Sequence, residues 1–312
     1  MTGSPKRVWH LDIPGGDGEP DTYVPVGVIE GLTTGPSAAV VAGVHGTEWV
    51  GQDAVQALWR ELSPESIHGS LTVIFAADVV AAAAGSPGVT PFDRRNLNRV
   101  WPGAADGTWS ERLAARLWDQ LLGGPEVVID IHGGEWTEEV NAFGLVHPTG
   151  ADALDQHILQ LAQRMGLPFI AMTEGVGTLS GAVARDGRVG LAMEVGGGGR
   201  RTREDVGIIV RAIRGALAAA GSLAEGEPGS GGPAIVLDKG EMVRSPADGV
   251  LVPAVEVGQR VTQGETLATI HGFDGTLLHT VASPAAGMVL LRSVARVVAP
   301  GSLLVSLGWA DQ

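Results

Sequence analysis

The chain has 312 residues, 44% of them apolar, which suffices for a buried core, sets a prior of two domains and excludes a disordered chain. It contains no cysteine, so disulfides and thiolate metal sites are excluded and any transition metal falls to histidine, carboxylate and water. The balance of 21 basic against 35 acidic residues, a net charge of −14, argues against nucleic acid and anionic membrane surfaces as partners.

The first residues lack the apolar core of about 7–15 residues that marks a signal peptide, and no stretch of about 18 apolar residues is present to span a bilayer, so a cytoplasmic protein is expected. Residues 37–44 form an apolar run that delivers His45-Gly46-Thr47-Glu48 at its end. The run has the character of a strand covered on both faces. Thr47 is placed to cap a following helix through Val50, Ala54, Ala57, Leu58 and Leu62, stopped by Pro64, which puts Glu48 in its first turn. A second apolar run covers 71–79.

The segment from Asp93 to Gly103 reads as a loop and sets Asn98 beside Arg99; a guanidinium fork suits a substrate carboxylate, and a neighbouring amide adds a donor. Ser110 and Glu111 open the next helical pattern, through Leu113, Leu117 and Leu121 to Gly123. A third apolar run, 127–131, ends on His132, with Asp130 on the same strand face, where it can orient the histidine. A fourth, 189–195, carries Glu194 into Gly196-Gly197-Gly198-Gly199; no Gly-Lys-Ser/Thr follows, so this is not a phosphate loop.

Strands alternating with helices predict a mostly parallel α/β sheet with its ligands at the carboxyl ends of the strands. After a helical pattern at about 203–220 the composition changes: 221–233 reads as a flexible linker, and 234–312 as a small all-β domain punctuated by glycine. The expected division is therefore a catalytic domain over 1–220, the linker, and the β domain. A histidine and a glutamate close in sequence plus a distant histidine are a standard donor set for zinc, so His45, Glu48 and His132 predict one Zn2+ per chain in a hydrolase. Glu194 is then placed to activate the attacking water.

His-Gly-x-Glu at 45–48, Asn-Leu-Asn-Arg-x-Trp-Pro-Gly at 96–103, Asp-x-His at 130–132 and Glu-x-Gly-Gly-Gly-Gly at 194–199, in this order, resemble the succinylglutamate desuccinylase/aspartoacylase family. Its members are amidohydrolases with a zinc-carboxypeptidase-like fold, a mixed sheet flanked by helices, followed by a small β domain. The Thr-Pro-x-Asp before Asn96, the Asp-Gly-Thr at 106–108 and the glycine run are most similar to the branch that deacetylates N-acetyl-diaminobutyrate in ectoine breakdown. The resemblance implies that His45, Glu48 and His132 bind zinc, that Asn98 and Arg99 hold a substrate carboxylate, and that Glu194 is the general base. It also implies a deacylase for a small N-acyl amino acid.

Two readings compete with it: a metallocarboxypeptidase acting on short peptides, which shares the machinery, and a non-catalytic binding protein of the same fold. Family members carry a further arginine upstream of the Asn-Arg pair that helps polarise the scissile carbonyl, whereas 81–92 holds none; either Arg94 or Arg95 replaces it or zinc does the polarising alone, with Arg200 and Arg201 weaker candidates that read as solvated surface. The C-terminal pattern resembles a biotinyl/lipoyl barrel-sandwich, but its turn at 271–276 has no lysine, so a swinging-arm role is excluded; His271 and His279 are expected to decorate that hairpin, one of them reaching the mouth of the site at most. A small-molecule substrate is expected, and a homo-oligomer is compatible with the sequence.

Overall fold

The computed structural model describes residues 4–16, 18–224 and 233–310, and in it the apolar runs of the sequence become the middle of one large sheet. Strands β1 (Lys6–Ile13), β2 (Thr22–Glu30) and β3 (Thr33–Ala42) precede helix α1 (Trp49–Glu61), and β4 (His68–Ile74) and the short α2 (Val79–Ala84) follow. A turn at Leu97–Arg99 leads to α3 (Trp109–Leu117), which continues into a wider helical turn at Trp118–Leu122. Next come β5 (Val127–His132), β6 (Glu138–Val146), α4 (Asp152–Arg164), β7 (Phe169–Met172), α5 (Leu179–Arg185), β8 (Val189–Gly197) and α6 (Arg203–Ala219). The described residues beyond are built from strands: β9 (Ile235–Leu237), β10 (Lys239–Arg244), β11 (Gly249–Pro253), β12 (Arg260–Val261), β13 (Thr266–His271), β14 (Leu277–Ala282), β15 (Gly287–Ser293), β16 (Val297–Val298) and β17 (Leu303–Trp309).

Thirteen strands form the main sheet, whose path is β1-β2-β4-β3-β5-β8-β6-β15-β17-β10, with β7 and β9 added beside β6 and β12 beside β15. The centre is parallel, β4, β3, β5 and β8 running the same way, so their carboxyl ends share one edge. Side chains alternate between two cores, as a pleated strand requires. Val127, Ile129 and Ile131 of β5 join α1, α4 and α6 through Leu58, Ile158 and Ile213, whereas Val128 joins Trp109, Leu117 and Val183 of α3 and α5 on the other face. Asp130 and His132 share the second face.

The mixed sheet flanked by helices agrees with the expected fold class, and several local details differ. Glu48 is the N-cap of α1, so Thr47 does not cap it, and α3 begins at Trp109 behind a capping box made by Thr108 and Glu111, not at Ser110. The run 71–79 is not one strand: β4 ends at Ile74, and Asp78 accepts the Ala81 amide to start α2.

Most of the expected linker, 225–232, lies outside the described residues. Its first part is packed: Leu223 is buried in the main core and bridges to Ile67. The C-terminal region is β-rich as expected, but only β14-β13-β11-β16 form a separate four-stranded sheet. Strands β9, β10, β12, β15 and β17 extend the main sheet, β9 pairing with β7 and β15 with β6. Among the described residues no helix is long and apolar enough to cross a membrane.

Candidate active site

His45 lies three residues beyond the end of β3, in a turn that only a small residue can make: a Cβ on Gly46 would sit 2.1 Å from the Ala81 carbonyl oxygen. That turn brings His45 and Glu48, the N-cap of α1, into one corner. Glu48 makes no side-chain cap bond to its helix. Its carboxylate instead spans two imidazoles, with Oε1 at 2.6 Å from Nδ1 of His45 and Oε2 at 2.9 Å from Nδ1 of His132. His132 arrives as the last residue of β5, one strand over from β3. Glu48 and His132 are 5% and 3% exposed.

The far nitrogen of each ring is held in turn. Nε2 of His45 lies 3.0 Å from Oδ1 of Asn96, and Nε2 of His132 lies 2.9 Å from Oδ2 of the fully buried Asp130. Acceptors at both Nε2 positions fix the proton there and aim both Nδ1 lone pairs at the same point, the arrangement that orients metal-ligating histidines. Asp130 therefore plays the orienting part expected of it.

Charge balance supports the grouping. Burial raises the Glu48 carboxyl, but His45 and His132 outweigh it and bring it down to about 2. Burial lowers both histidines, yet Glu48 raises His45, and Asp130 with Glu48 raise His132 well above its ordinary value. Without a cation, protons on the rings neutralise the buried carboxylates; a divalent ion placed among the same donors would take over that task and release them. The donor atoms of His45, Glu48 and His132 all lie within 4.8 Å of one another. Two imidazoles and a carboxylate match what zinc accepts, so the residues fit the ion.

The triad opens into a cavity of about 1000 Å³ that Glu194, Asn98 and Arg99 also line. Glu194 is the register partner of His132 on β8, so the carboxyl and the imidazole emerge side by side on one face. Burial pushes its carboxyl up to about 8, and Glu48 adds to the rise while the two histidines oppose it. Asn98 is buried: its Oδ1 accepts the Leu179 amide at 2.8 Å, and its Nδ2 lies 3.0 Å from Nε2 of His132. Arg99 is exposed at the cavity wall and donates to the Asn98 carbonyl at 2.6 Å. Five of the six residues singled out in the sequence thus border one space, and Glu48 stands behind it, against His45 and His132.

Several secondary candidates lie elsewhere. Arg94 is exposed with a left-handed backbone, and Arg95 pairs with Glu111 at 3.3 Å; neither lines the cavity, so neither takes the place of the missing arginine. Arg200 and Arg201 pair with Glu139 and Asp53, as surface residues do. His271 is held by Thr269 and the Gly275 carbonyl, and it and His279 are absent from the cavity wall.

Sequence reasoning missed His147 and Ser180, which line the cavity with Nε2 of the histidine 2.9 Å from the serine Oγ. Burial lowers the His147 pKa and keeps the ring neutral. The signal was available, because His147 ends the apolar run 142–146 as His45 and His132 end theirs.

The fold and this corner of it define a class. Residues 34–220 match the succinylglutamate desuccinylase/aspartoacylase catalytic domain, and the chain belongs to that family of deacylases. Among its relatives is the N-alpha-acetyl-L-2,4-diaminobutyric acid deacetylase of Halomonas elongata, 32% identical over 257 residues, spanning 80% of this chain and 74% of the relative. The product-bound ectoine utilization protein EutE (DoeB) from Ruegeria pomeroyi superposes with a TM-score of 0.88 at 26% identity, covering 99% of this chain and 100% of that one. A succinylglutamate desuccinylase/aspartoacylase from Rhodobacter sphaeroides gives 0.87 at 27% identity, covering 98% and 96%.

Proposed function

We propose that the protein is a zinc-dependent amidohydrolase that cleaves the amide of a small N-acyl amino acid into a carboxylate and a free amine, with residues 1–220 carrying the chemistry and 234–312 walling the cavity. The observation that carries this reading is the convergence of His45, Glu48 and His132 beside a cavity that both histidines line together with Glu194 and Arg99. One zinc would be held by those three residues, and when bound it supplies a Lewis acid that polarises the scissile carbonyl and acidifies water.

The remaining work falls to side chains of the chain itself. Glu194 accepts the proton of the attacking water at a carboxylate oxygen as the C–O bond forms. It then delivers that proton to the amide nitrogen as the C–N bond breaks, so atoms and charge balance over the cycle. The charge of a bound zinc would favour the ionised carboxylate that takes the proton, and burial, which raises this carboxyl in the metal-free fold, favours the acid that holds it between the two steps. Arg99 pairs with the substrate carboxylate through its guanidinium fork and so fixes the carbonyl relative to Glu194. Asn98 adds its amide nitrogen once Nε2 of His132 is committed to Asp130.

The relatives act on, or are named for, an N-acetylated diamino acid and ectoine utilization, so Nα-acetyl-2,4-diaminobutyrate is the first substrate to try. A panel of N-acyl amino acids and dipeptides, with freed amine as the readout, should show turnover of the N-acyl compounds. Glu194→Gln should keep its metal and lose about 10²–10⁴-fold in kcat, the usual worth of a positioned acid/base. Near-normal turnover in a metal-loaded Glu194→Gln protein removes Glu194 from the mechanism, and turnover of dipeptides alone replaces the deacylase reading with a carboxypeptidase.

A further inference from the structure

The cavity is far larger than an acetylated amino acid requires. Its volume of about 1000 Å³ stands at the top of the roughly 300–1,000 Å³ range of clefts that engulf drug-sized ligands. The excess lies on one side of the triad. From Glu194 on β8 the same sheet face continues to Phe143 and Leu145 on β6, then to Ala171 on β7 and Leu237 on β9, which are successive register partners. Three strand spacings of about 4.8 Å carry this floor roughly 14 Å beyond Glu194.

Leu290 of β15, which packs in one core cluster with Phe143, Ala171 and Leu237, and Leu303, Leu307 and Trp309 of β17 also border the cavity. At its margin Met242 is 56% exposed. Polar groups on this side are Ser306, the exposed Asp238 with Lys239 and Glu241 at the start of β10, and His147 and Thr173 at the carboxyl ends of β6 and β7.

The carboxylate anchor lies in the other direction. Asn98 and Arg99 are held against α5, which packs over β5 and β8, through the bond from the Leu179 amide. A substrate with its carboxylate at Arg99 and its carbonyl at the triad has its acyl group leaving away from Arg99, along the apolar floor.

We propose that this floor is an acyl-chain site and that the enzyme prefers N-acyl amino acids with an extended apolar acyl group of six to ten carbons over their N-acetyl counterparts. This rests on the deacylase reading, since it places an acyl group at the triad. Each methylene that leaves water for such a surface is worth about fourfold in affinity at full burial.

The test uses the N-acetyl, N-butanoyl, N-hexanoyl and N-octanoyl forms of one amino acid. Calorimetric titration onto the metal-free full-length protein, which separates binding from turnover, should give dissociation constants that fall about threefold to fourfold for each added methylene. In the zinc-loaded protein kcat/KM should rise in the same order. Met242→Glu and Leu303→Gln should each shrink the octanoyl-to-acetyl ratio.

Equal affinities along the series, with the acetyl compound hydrolysed, overturn the acyl-chain site and leave the deacylase reading standing. Tighter binding of longer chains with no member hydrolysed keeps the apolar site and removes the deacylase reading. A gain that follows apolar amino-acid side chains, from N-acetylalanine to N-acetylphenylalanine, rather than the acyl chain, assigns the floor to the amine half and overturns the proposal.

Discussion

Arg99 is exposed on the cavity wall with its guanidinium engaged only by the neighbouring Asn98 carbonyl among the bonds described, so a substrate carboxylate has a cation to meet there. Arg99→Ala should therefore narrow the gap in kcat/KM between an N-acyl amino acid and its carboxyl-blocked amide, chiefly through KM, because the triad is untouched. Equal hydrolysis of both compounds by the wild type contradicts a carboxylate anchor. Glu194 makes a second prediction, on stability. In the metal-free fold its carboxyl titrates near 8 against an ordinary 4.5. Below 4.5 the folded and unfolded chains both hold the proton; between 4.5 and 8 only the folded one does, so this group costs more stability as pH rises through that window. Metal-free Glu194→Gln should match the wild type in melting temperature at acidic pH and exceed it increasingly towards pH 8. A difference that does not change with pH contradicts a buried, proton-holding Glu194.

The elements that carry the site were largely legible, because each apolar run leads to a chemically distinctive residue: His45 just beyond β3, His132 as the last residue of β5 and Glu194 within β8. Their caps were not. Glu48 sits at the N-cap of α1 with its carboxylate drawn to His45 and to His132, 84 residues away, and local capping rules cannot see that distant pull. Short pieces such as α2 and β7, six and four residues long, hold too few periods to read. The turn before α5 was equally silent, yet it clasps the segment that carries Asn98 and Arg99: the Gly177 carbonyl accepts the Trp101 amide at 3.1 Å, and a Cβ on Gly177 would lie 2.3 Å from the Arg99 carbonyl oxygen. Gly177 also has φ +74, and Gly187, at φ +82, has nothing within 4 Å of such a Cβ. Gly187→Ala should cost about 1–2 kcal/mol from the left-handed backbone alone. Gly177→Ala should cost more and also raise KM by displacing Arg99; comparing the two melting temperatures and KM values checks this, and equal behaviour of the two variants contradicts the clasp.

At the scale of the molecule, the sequence foretold a sheet flanked by helices and a β-rich C-terminal region, but not that five of the later strands complete the first sheet. Pairing of β9 with β7 and β15 with β6 joins segments distant in sequence, and alternation within a strand does not say which neighbour it will find. The consequence for the site is large, because Leu237, Leu290, Leu307 and Trp309 from that region wall the cavity. The central claim, that zinc held by His45, Glu48 and His132 drives hydrolysis of an N-acyl amino acid, is tested most directly by measuring bound zinc and freed amine together on the full-length protein. The expected result is one zinc per chain, loss of turnover on chelation, recovery with one equivalent of zinc, and neither zinc nor turnover in His45→Ala or His132→Ala. Unchanged metal content in both variants, or hydrolysis that persists after the metal is stripped, would contradict it.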